Sequence, residues 1–565
     1  MSMLDFLKQR SELIFCLIFV VYAILWAPQG LDTKDGGFIL GIAWRILHGE
    51  VPYRDIFYTR PPVTLYLRIL PLLFGNFAIY ADRIITLAQF AVIAVVGSAV
   101  LFQSLRRDYA PSLFWSFAAC CFIMSVHNFP LFGWYTTDAV FFATLALLVL
   151  MRRHYLLCGA LAAASLMCKQ NFGLITLLFG MLSATGGVKA AVYYLFGAAV
   201  VMGGIALLMS AQGALEPMVV LMSGVGNLAD IWNSGVKAYV GQLLTPDAGA
   251  AIVVGAVSGI VARRAGRSAA EARTSAYTAL VLAILAVFLG HVLAVLRSSY
   301  AFPIAYFSGA RFQIAQFYGA SIMLVFAGAW TIDWAIRNQS LFRRAPRRFL
   351  TESLLPLAAL FAIAWTSSIS FGYTNPAYFA VPMLAPILFD PLPLSAIIGR
   401  LWLITAFAFV AFGLALAHPY GESSRIDQLV SVPPIVHGAA LMRTSARNAA
   451  KLRELTALIA QNPDRAITVL PAFTSFYLLF GVKPPSPVVW SYDADYPPAK
   501  RPSYTTAVLN RLCEAHALIA VEKDLAAVVQ GDKMLYSSVL AYVENAWRPV
   551  GETAHFALFD SPESC

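Results

Sequence analysis

The residues best suited to chemistry lie in one stretch near the N-terminus, between residues 31 and 66. This stretch follows the first hydrophobic segment and carries three aspartates and three arginines: Asp32, Asp35, Asp55, Arg45, Arg54 and Arg60. A carboxylate can take a proton from a reacting hydroxyl, and a guanidinium can hold a phosphate through paired hydrogen bonds. The combination predicts chemistry on an anionic lipid head group. The alternative is a solvated loop whose charges only keep it in water.

A helix is predicted inside this stretch, over residues 36–48. Apolar and polar side chains follow one another there at helical spacing, and the mixture is typical of a helix that lies along a membrane surface. Arg60-Pro61-Pro62 ends this part of the loop, because a proline disfavours helix in the residue before it.

The composition indicates a polytopic membrane protein. The chain has 565 residues, of which 59% are hydrophobic and 12% charged, and this balance excludes an ordinary soluble protein. The net charge of +10 does not indicate nucleic-acid binding, because most of the excess lies in short clusters between hydrophobic segments, where the positive-inside rule expects it. Leu13 to Ala27 has no small-residue cleavage site and is interpreted as an uncleaved first span.

About thirteen transmembrane helices are predicted, with the N-terminus inside the cell and the C-terminus outside. The long outer loops are then residues 30–81 and 211–247. The predicted spans are roughly residues 13–29, 82–105, 111–127, 136–151, 155–168, 171–185, 190–210, 248–262, 275–296, 313–332, 351–370, 377–390 and 400–417.

From residue 418 the chain is polar enough to be soluble. We therefore divide it into a transmembrane domain, residues 1–417, and an extracytoplasmic α/β domain, residues 418–565. A disulfide between Cys513 and Cys565 would fit an oxidising compartment. The predicted elements of the second domain are strands at 466–470 and 517–521 and helices near 438–461 and 534–546.

Asp138 is a candidate site residue at the outer end of the fourth predicted span. An acid at the edge of a hydrophobic helix is costly and is therefore a functional candidate. The alternative is a helix N-cap at the membrane interface.

Lys169 and Gln170 interrupt an apolar run between two short predicted spans, on the outer side. Lysine is a common point-charge partner for a phosphate. The alternative is a lysine that reaches out to the lipid head groups along its apolar stem.

Three pieces of the first loop occur in an order that resembles a known pattern. Asp35, the segment Gly49-Glu50-Val51-Pro52-Tyr53 and Arg60-Pro61-Pro62 follow one another, as in the first periplasmic loop of the GT-C glycosyltransferases that use a polyprenyl-phosphate sugar. That family includes the aminoarabinose transferases of lipid A and the protein O-mannosyltransferases. Two positions differ, since the family has a second acid where Gly36 stands and a lysine where Arg60 stands. The resemblance carries recognisable motifs over roughly residues 1–185.

The resemblance implies roles for individual residues. Asp35 takes the place of the catalytic base, and Asp32 and Asp55 are second choices. The family also has an acid near the position of Asp138, which is a further catalytic candidate. Asp32 is interpreted as a helix cap or a surface residue. The residues assigned to the donor lipid are Lys169, Gln170, Arg60, Arg54, Tyr53, Tyr378 and Arg311, although plain anchoring at the interface is the stronger interpretation of Arg311.

The fold and function implied are those of an α-helical polytopic membrane glycosyltransferase of GT-C type. It would move a sugar from a polyprenyl-phosphate donor to a glycan, lipid or protein acceptor outside the cytoplasmic membrane of a bacterium, with inversion. No cofactor or divalent metal is required, because the donor has one phosphate that cationic side chains can neutralise. The alternatives are a transporter or flippase of lipid-linked sugars, which an inverted hydropathy repeat would favour, and a non-catalytic assembly partner.

Overall fold

The computed structural model describes residues 11–104, 111–128, 130–223, 246–268, 350–368, 430–496, 500–531 and 536–562, with a few single residues between 271 and 283 and residue 422. The predicted spans 313–332, 377–390 and 400–417 and most of 275–296 lie outside these residues. Tyr378, Arg311 and the predicted domain boundary at residue 418 lie outside them as well.

Nine of the predicted spans fall on helices of the described chain. The helices of the apolar part are α1 (Ser11–Val21), α2 (Phe38–Leu47), α3 (Val63–Leu67), α4 (Ile69–Leu72), α5 (Ala78–Ser104), α6 (Pro111–Asn128), α7 (Tyr135–Met151), α8 (Tyr155–Leu166), α9 (Gly173–Ala184), α10 (Val188–Ala211), α11 (Leu215–Met222), α12 (Pro246–Arg264) and α13 (Leu355–Ser368). A π-helical turn, Tyr22–Trp26, continues α1.

The length and composition of two helical stretches suit a membrane crossing within the described residues, Gly75–Ser104 and Val188–Ala211. The second of these, α10, exposes large apolar side chains along its length, including Val192, Leu195 and Leu207. Such a surface is unfavourable in water and suits lipid. The count of thirteen spans stays a prediction.

Two groups of basic residues in the described part of the chain lie at helix ends that face away from the first loop. α7 ends next to Arg152 and Arg153, and α10 begins at Val188-Lys189. At the other end of α10, the side-chain oxygen of Gln212 accepts a hydrogen bond from the hydroxyl of Tyr66 in the first loop at 3.0 Å. Arg152, Arg153 and Lys189 are therefore basic residues that the positive-inside rule would place on the cytoplasmic side.

The predicted helix of the first loop is present as α2, but its surroundings differ from the expectation. Most of its side chains are buried, including Ile39, Ile42 and Ala43, so other parts of the protein cover it, and its position along a membrane surface stays a prediction. It packs against the C-terminal domain on one side and against α4 and α5 on the other. An apolar helix that is buried on nearly every face belongs to a core.

The C-terminal domain contains the predicted α/β fold. Its strands and helices are β1 (Val430–Ser431), β2 (Arg443–Thr444), α14 (Ala446–Gln461), β3 (Ile467–Leu470), α15 (Phe476–Phe480), α16 (Arg501–Glu514), β4 (Leu518–Glu522), α17 (Lys523–Gly531), α18 (Ser538–Ala546), β5 (Arg548–Glu552) and β6 (Phe556–Asp560). The main sheet has the order β3-β4-β6-β5, with β3 and β4 parallel and the other pairs antiparallel.

Both predicted strands and both predicted helices of this domain are confirmed. The first helix begins eight residues later than expected, at Ala446, because Arg443 and Thr444 pair with β1 instead. Ser445 then caps the helix by accepting a hydrogen bond from the Asn448 N–H. Cys513 is in a disulfide bond, and its pairing with Cys565, which lies outside the described residues, stays a prediction.

Candidate functional site

The C-terminal domain docks directly on the first loop, and two glycines permit the close approach. A Cβ on Gly37 would lie 2.2 Å from the backbone nitrogen of Ser475, and one on Gly41 would lie 2.6 Å from the backbone oxygen of Thr474. Any larger residue at either position would push the two parts of the chain apart. The Thr474 N–H also donates to the Thr33 carbonyl oxygen at 2.8 Å.

A small aromatic recess lies at this junction. Phe38 of α2 stacks on Trp490 of the C-terminal domain, with the ring centroids 3.7 Å apart and the planes 10° from parallel. Tyr58, Arg60 and Tyr496 also line the recess. Both parts of the chain therefore build its walls.

Arg60 is held in this recess from several directions. Its guanidinium carbon lies 5.7 Å from the centroid of the Phe38 ring and 4.7 Å from that of Tyr135. Its Nη2 donates to Asp495 Oδ1 at 2.8 Å, and its carbonyl oxygen accepts from the Tyr53 hydroxyl at 2.6 Å. Tyr53 is thus a buried residue that fixes the backbone at Arg60, and its role as a donor-binding residue stays a prediction.

Lys169 approaches the same tyrosine ring from another part of the chain. Its Nζ lies 5.6 Å from the ring centroid of Tyr135 and donates to Thr136 Oγ1 at 3.2 Å. Burial lowers the pKa of Lys169 well below its ordinary value, and the nearby charge of Arg60 lowers it further. The structure therefore brings together two of the cations that the sequence pointed to separately.

Gln170 directly follows Lys169 and begins a short 3₁₀ helix, Gln170–Phe172. Its side-chain oxygen is buried and accepts no hydrogen bond from the described residues. A buried amide oxygen without a hydrogen-bond donor costs free energy. The side-chain oxygen of Gln170, next to Lys169 in the chain, can therefore accept a hydrogen bond from a ligand. Its assignment to the donor lipid stays a prediction.

Asp32 and Asp35 lie near each other at the start of a 3₁₀ turn, Asp35–Gly37. The carboxylate of Asp32 accepts hydrogen bonds from the N–H groups of Lys34 at 3.0 Å and Gly36 at 2.6 Å, so it holds the backbone at the start of this turn, although the N-cap residue is Lys34. Asp32 is buried, so its interpretation as a surface residue is wrong. Burial, and then the charge of Asp35, raise the pKa of Asp32 from 3.8 to about 7. Asp35 is half-buried, and its charge also raises the pKa of Tyr492 in the C-terminal domain, after burial.

The raised pKa of Asp32 predicts a pH dependence of stability. Between about pH 4 and pH 7 the folded protein binds more protons at Asp32 than the unfolded chain does, so the free energy of unfolding should fall as the pH rises through this window. Asp32→Asn should remove this dependence, because the amide can still accept the N–H groups of Lys34 and Gly36. Apparent melting temperatures of the parent and variant from pH 4.5 to pH 8 measure the difference.

The matched control for this prediction is Asp55→Asn. A hydrogen bond from Arg54 is the main cause that lowers the pKa of Asp55 below its ordinary value. The contribution of ionised Asp55 to the free energy of unfolding is therefore lost only at a pH below this window. This variant should follow the parent across the window. Parallel curves for Asp32→Asn and the parent would show that Asp32 titrates normally.

Asp138 belongs to a buried ion network rather than to a helix cap. It lies in the first turn of α7, and the N-cap residue is Trp134. Arg68 donates to both Asp138 and Asp82, the latter at 3.1 Å, and Gln89 donates to Asp138 at 2.7 Å. The interpretation as an N-cap is therefore wrong, and the geometry favours a structural role, while catalysis by Asp138 stays a prediction.

Asp55 and Arg54 pair with each other instead of joining Arg60 and Lys169. Arg54 Nη2 donates to Asp55 Oδ2 at 2.8 Å, with 49% and 31% of the two side chains exposed. Asp55 also accepts the Val51 N–H at 2.8 Å. This pair stabilises the turn before Arg60, and the catalytic and donor-binding roles assigned to Asp55 and Arg54 stay predictions.

Several residues of the site were not singled out by the sequence. Tyr135, Trp490 and Asp495 are ordinary interface or loop residues in the sequence, and only the fold places them beside Arg60. For Arg68 a signal was present, because a single arginine stands between Leu67 and Ile69 in an apolar stretch. A buried arginine of this kind requires acidic partners, and the structure supplies them.

Comparison with known proteins returns few matches. No protein-family model matches the chain, and no curated protein matches it. Two crystal structures of ArnT from Cupriavidus metallidurans are similar to it, one in the apo state and one bound to undecaprenyl phosphate. Their sequence identities are 10% and 11%, their TM-scores are 0.41 and 0.42, and each comparison covers 98% of both chains. ArnT is a GT-C glycosyltransferase, and both measures of this chain's likeness to it are low.

Proposed function

We propose that the protein is a membrane glycosyltransferase that moves a sugar from a polyprenyl-phosphate donor to an acceptor outside the cytoplasmic membrane. The observation that carries the proposal is the convergence of Arg60 and Lys169 on the ring of Tyr135. The two cations are 109 positions apart in sequence and meet where hydrophobic helices join the polar C-terminal domain. This is the place at which a lipid phosphate would emerge from the hydrocarbon.

Electrostatics explain why an anion would bind there. Two positive side chains that are brought together in a largely buried site repel each other, and this repulsion contributes to the low pKa of Lys169. A phosphate between them would offset the repulsion and favour the charged form of Lys169. Arginine adds paired donors of fixed geometry, and lysine adds a compact charge.

The chemistry we propose is a single displacement at the sugar carbon. Asp35 takes the proton of the acceptor hydroxyl as the new bond forms between the acceptor oxygen and C1 of the sugar. The bond between C1 and the phosphate oxygen breaks, and its electron pair stays on the phosphate. Arg60 and Lys169 stabilise the charge that develops there, so the mechanism requires neither a divalent metal nor another cofactor.

We place the protein in the inner membrane of a bacterium, with its N-terminus in the cytoplasm and its C-terminal domain in the periplasm. The support is the charge at the helix ends, since Arg152, Arg153 and Lys189 lie away from the first loop. The acceptor would then be a glycan, lipid or protein of the cell envelope, and lipopolysaccharide is one such acceptor.

Removing either cation should weaken binding of the donor lipid. Arg60→Ala and Lys169→Ala should each cost about 1.5–3 kcal/mol of binding free energy, because a charge-assisted hydrogen bond to the phosphate is lost. The measurement is the Kd for a polyprenyl phosphate with protein in lipid nanodiscs, beside the phosphate-free polyprenol. Arg548→Ala is the control, because Arg548 is 67% exposed and pairs with Asp560 in the C-terminal domain. Parent-like binding by both variants would contradict the phosphate site.

A further inference from the structure

A carboxylate of the C-terminal domain reaches the proposed phosphate site. Asp495 lies 435 positions after Arg60, and its Oδ1 accepts the hydrogen bond from Arg60 Nη2 at 2.8 Å. The two side chains are 18% and 19% exposed. A pair at this depth is better shielded from water than a surface ion pair and has a more definite geometry.

The backbone around Asp495 is itself held in place. Asp495 ends a 3₁₀ turn, Asp493–Asp495. The first residue of that turn is bonded to the start of α18, since Asp493 Oδ1 accepts the Ser538 N–H at 3.0 Å and the Asp493 N–H donates to the Tyr536 carbonyl oxygen at 2.9 Å. The carboxylate of Asp495 is therefore presented to Arg60 from an ordered turn.

Two kinds of contact orient the Arg60 side chain: contacts with aromatic rings and a hydrogen bond to a carboxylate. The rings of Phe38 and Tyr135 lie within 5.7 Å and 4.7 Å of its guanidinium carbon and restrict its position. Asp495 bonds one of its nitrogens, Nη2, and so restricts rotation of the guanidinium. A guanidinium has five N–H donors, and donors that are not used by Asp495 stay available for an anion.

We propose that Asp495 is a positioning residue that orients Arg60 toward the phosphate of the donor. The proposal rests on the proposed function, and it makes the C-terminal domain a part of the donor site. An arginine that is already oriented loses less freedom when it binds a phosphate. The C-terminal domain would therefore strengthen donor binding without touching the lipid.

Two other roles for Asp495 make different predictions. If Asp495 competed with the phosphate for Arg60, its removal would strengthen donor binding. If Asp495 only stabilised the fold, its removal would lower the melting temperature, and its effect on binding would be independent of Arg60.

The test is a double-mutant cycle on the full-length protein in nanodiscs, with a polyprenyl phosphate as the probe. Asp495→Asn should weaken binding on the order of tenfold, and Asp495→Glu should recover part of the loss. In Arg60→Ala protein the same Asp495→Asn change should have almost no further effect, because the residue that it orients is gone. Asp560→Asn is the matched control, because Asp560 is also 18% exposed and pairs with an arginine, Arg465, elsewhere in the C-terminal domain.

The outcomes separate this inference from the function on which it rests. A parent protein that does not bind polyprenyl phosphate would overturn the proposed function itself. A parent that binds, with an Asp495→Asn variant that binds equally or more tightly, would overturn only the role of Asp495. Additive losses in the double mutant would also overturn it, because they would show that the two residues act independently.

Discussion

Asp35→Asn is expected to abolish sugar transfer while leaving donor binding intact. The amide is nearly the same size as the carboxylate, so packing at the start of the 3₁₀ turn should survive, but it cannot take the proton of the acceptor hydroxyl. Loss of a general base slows a reaction by roughly 10²–10⁴-fold. Binding should persist because Arg60 and Lys169 hold the phosphate. The measurement is the transfer rate of purified protein with its donor, beside the Kd for a polyprenyl phosphate.

The neighbouring acid is the control for this prediction. Asp32→Asn should reduce transfer much less, because Asp32 uses its carboxylate to accept two backbone N–H groups and asparagine caps about as well. Full activity in Asp35→Asn with loss of activity in Asp55→Asn or Asp138→Asn would move the base to that residue. Full activity in all three would remove the catalytic interpretation and favour a transporter or flippase of lipid-linked sugars.

Arg68→Met is expected to destabilise the protein by about 3–5 kcal/mol, because it leaves two buried carboxylates without their cation. Arg68, Asp82 and Asp138 are all at most 2% exposed. Methionine fills part of the same volume, so most of the loss should come from the uncompensated charges. The measurement is the apparent melting temperature of purified protein in detergent, with expression level as a second readout.

Arg54→Met provides the matched control at a surface pair. Arg54 is 49% exposed and bonds Asp55, and an exposed pair contributes about 0–1 kcal/mol. If both variants melted like the parent, the Arg68 network would have no structural role. Asp138 would then return as a candidate for catalysis.

The element types of this protein follow from local sequence. Apolar runs predict α5, α7 and α10, and the strand-forming residues at 466–470 and 517–521 predict the parallel pair β3 and β4. These predictions are confirmed because the spacing of apolar residues that distinguishes helix from strand is set by residues close together in the sequence. The predicted helix start at 438 is wrong, because residues 443 and 444 pair with β1, and the helical pattern of the residues that follow does not show this pairing.

The environment of the first loop could not be predicted in the same way. The pattern of residues 36–48 is that of an amphipathic helix, and nothing in the pattern says what covers it. In the structure Gly37 and Gly41 allow the backbone at Thr474 and Ser475 to approach, and Trp490 stacks on Phe38. The expected surface helix is therefore buried beneath the C-terminal domain.

The sequence by itself determined the chemical character of this protein: a membrane chain with acids and cations in its first loop and a lysine between two short helices. The sequence indicated Arg60 and Lys169 as two separate candidates, because each is a charged residue beside prolines or within an apolar run. Only the tertiary structure decided which charges act together. It places Arg60 and Lys169 around Tyr135, Asp495 against Arg60 and Asp138 against Arg68, because charge pairing depends on distances of a few ångströms in space and is not encoded in separation along the chain.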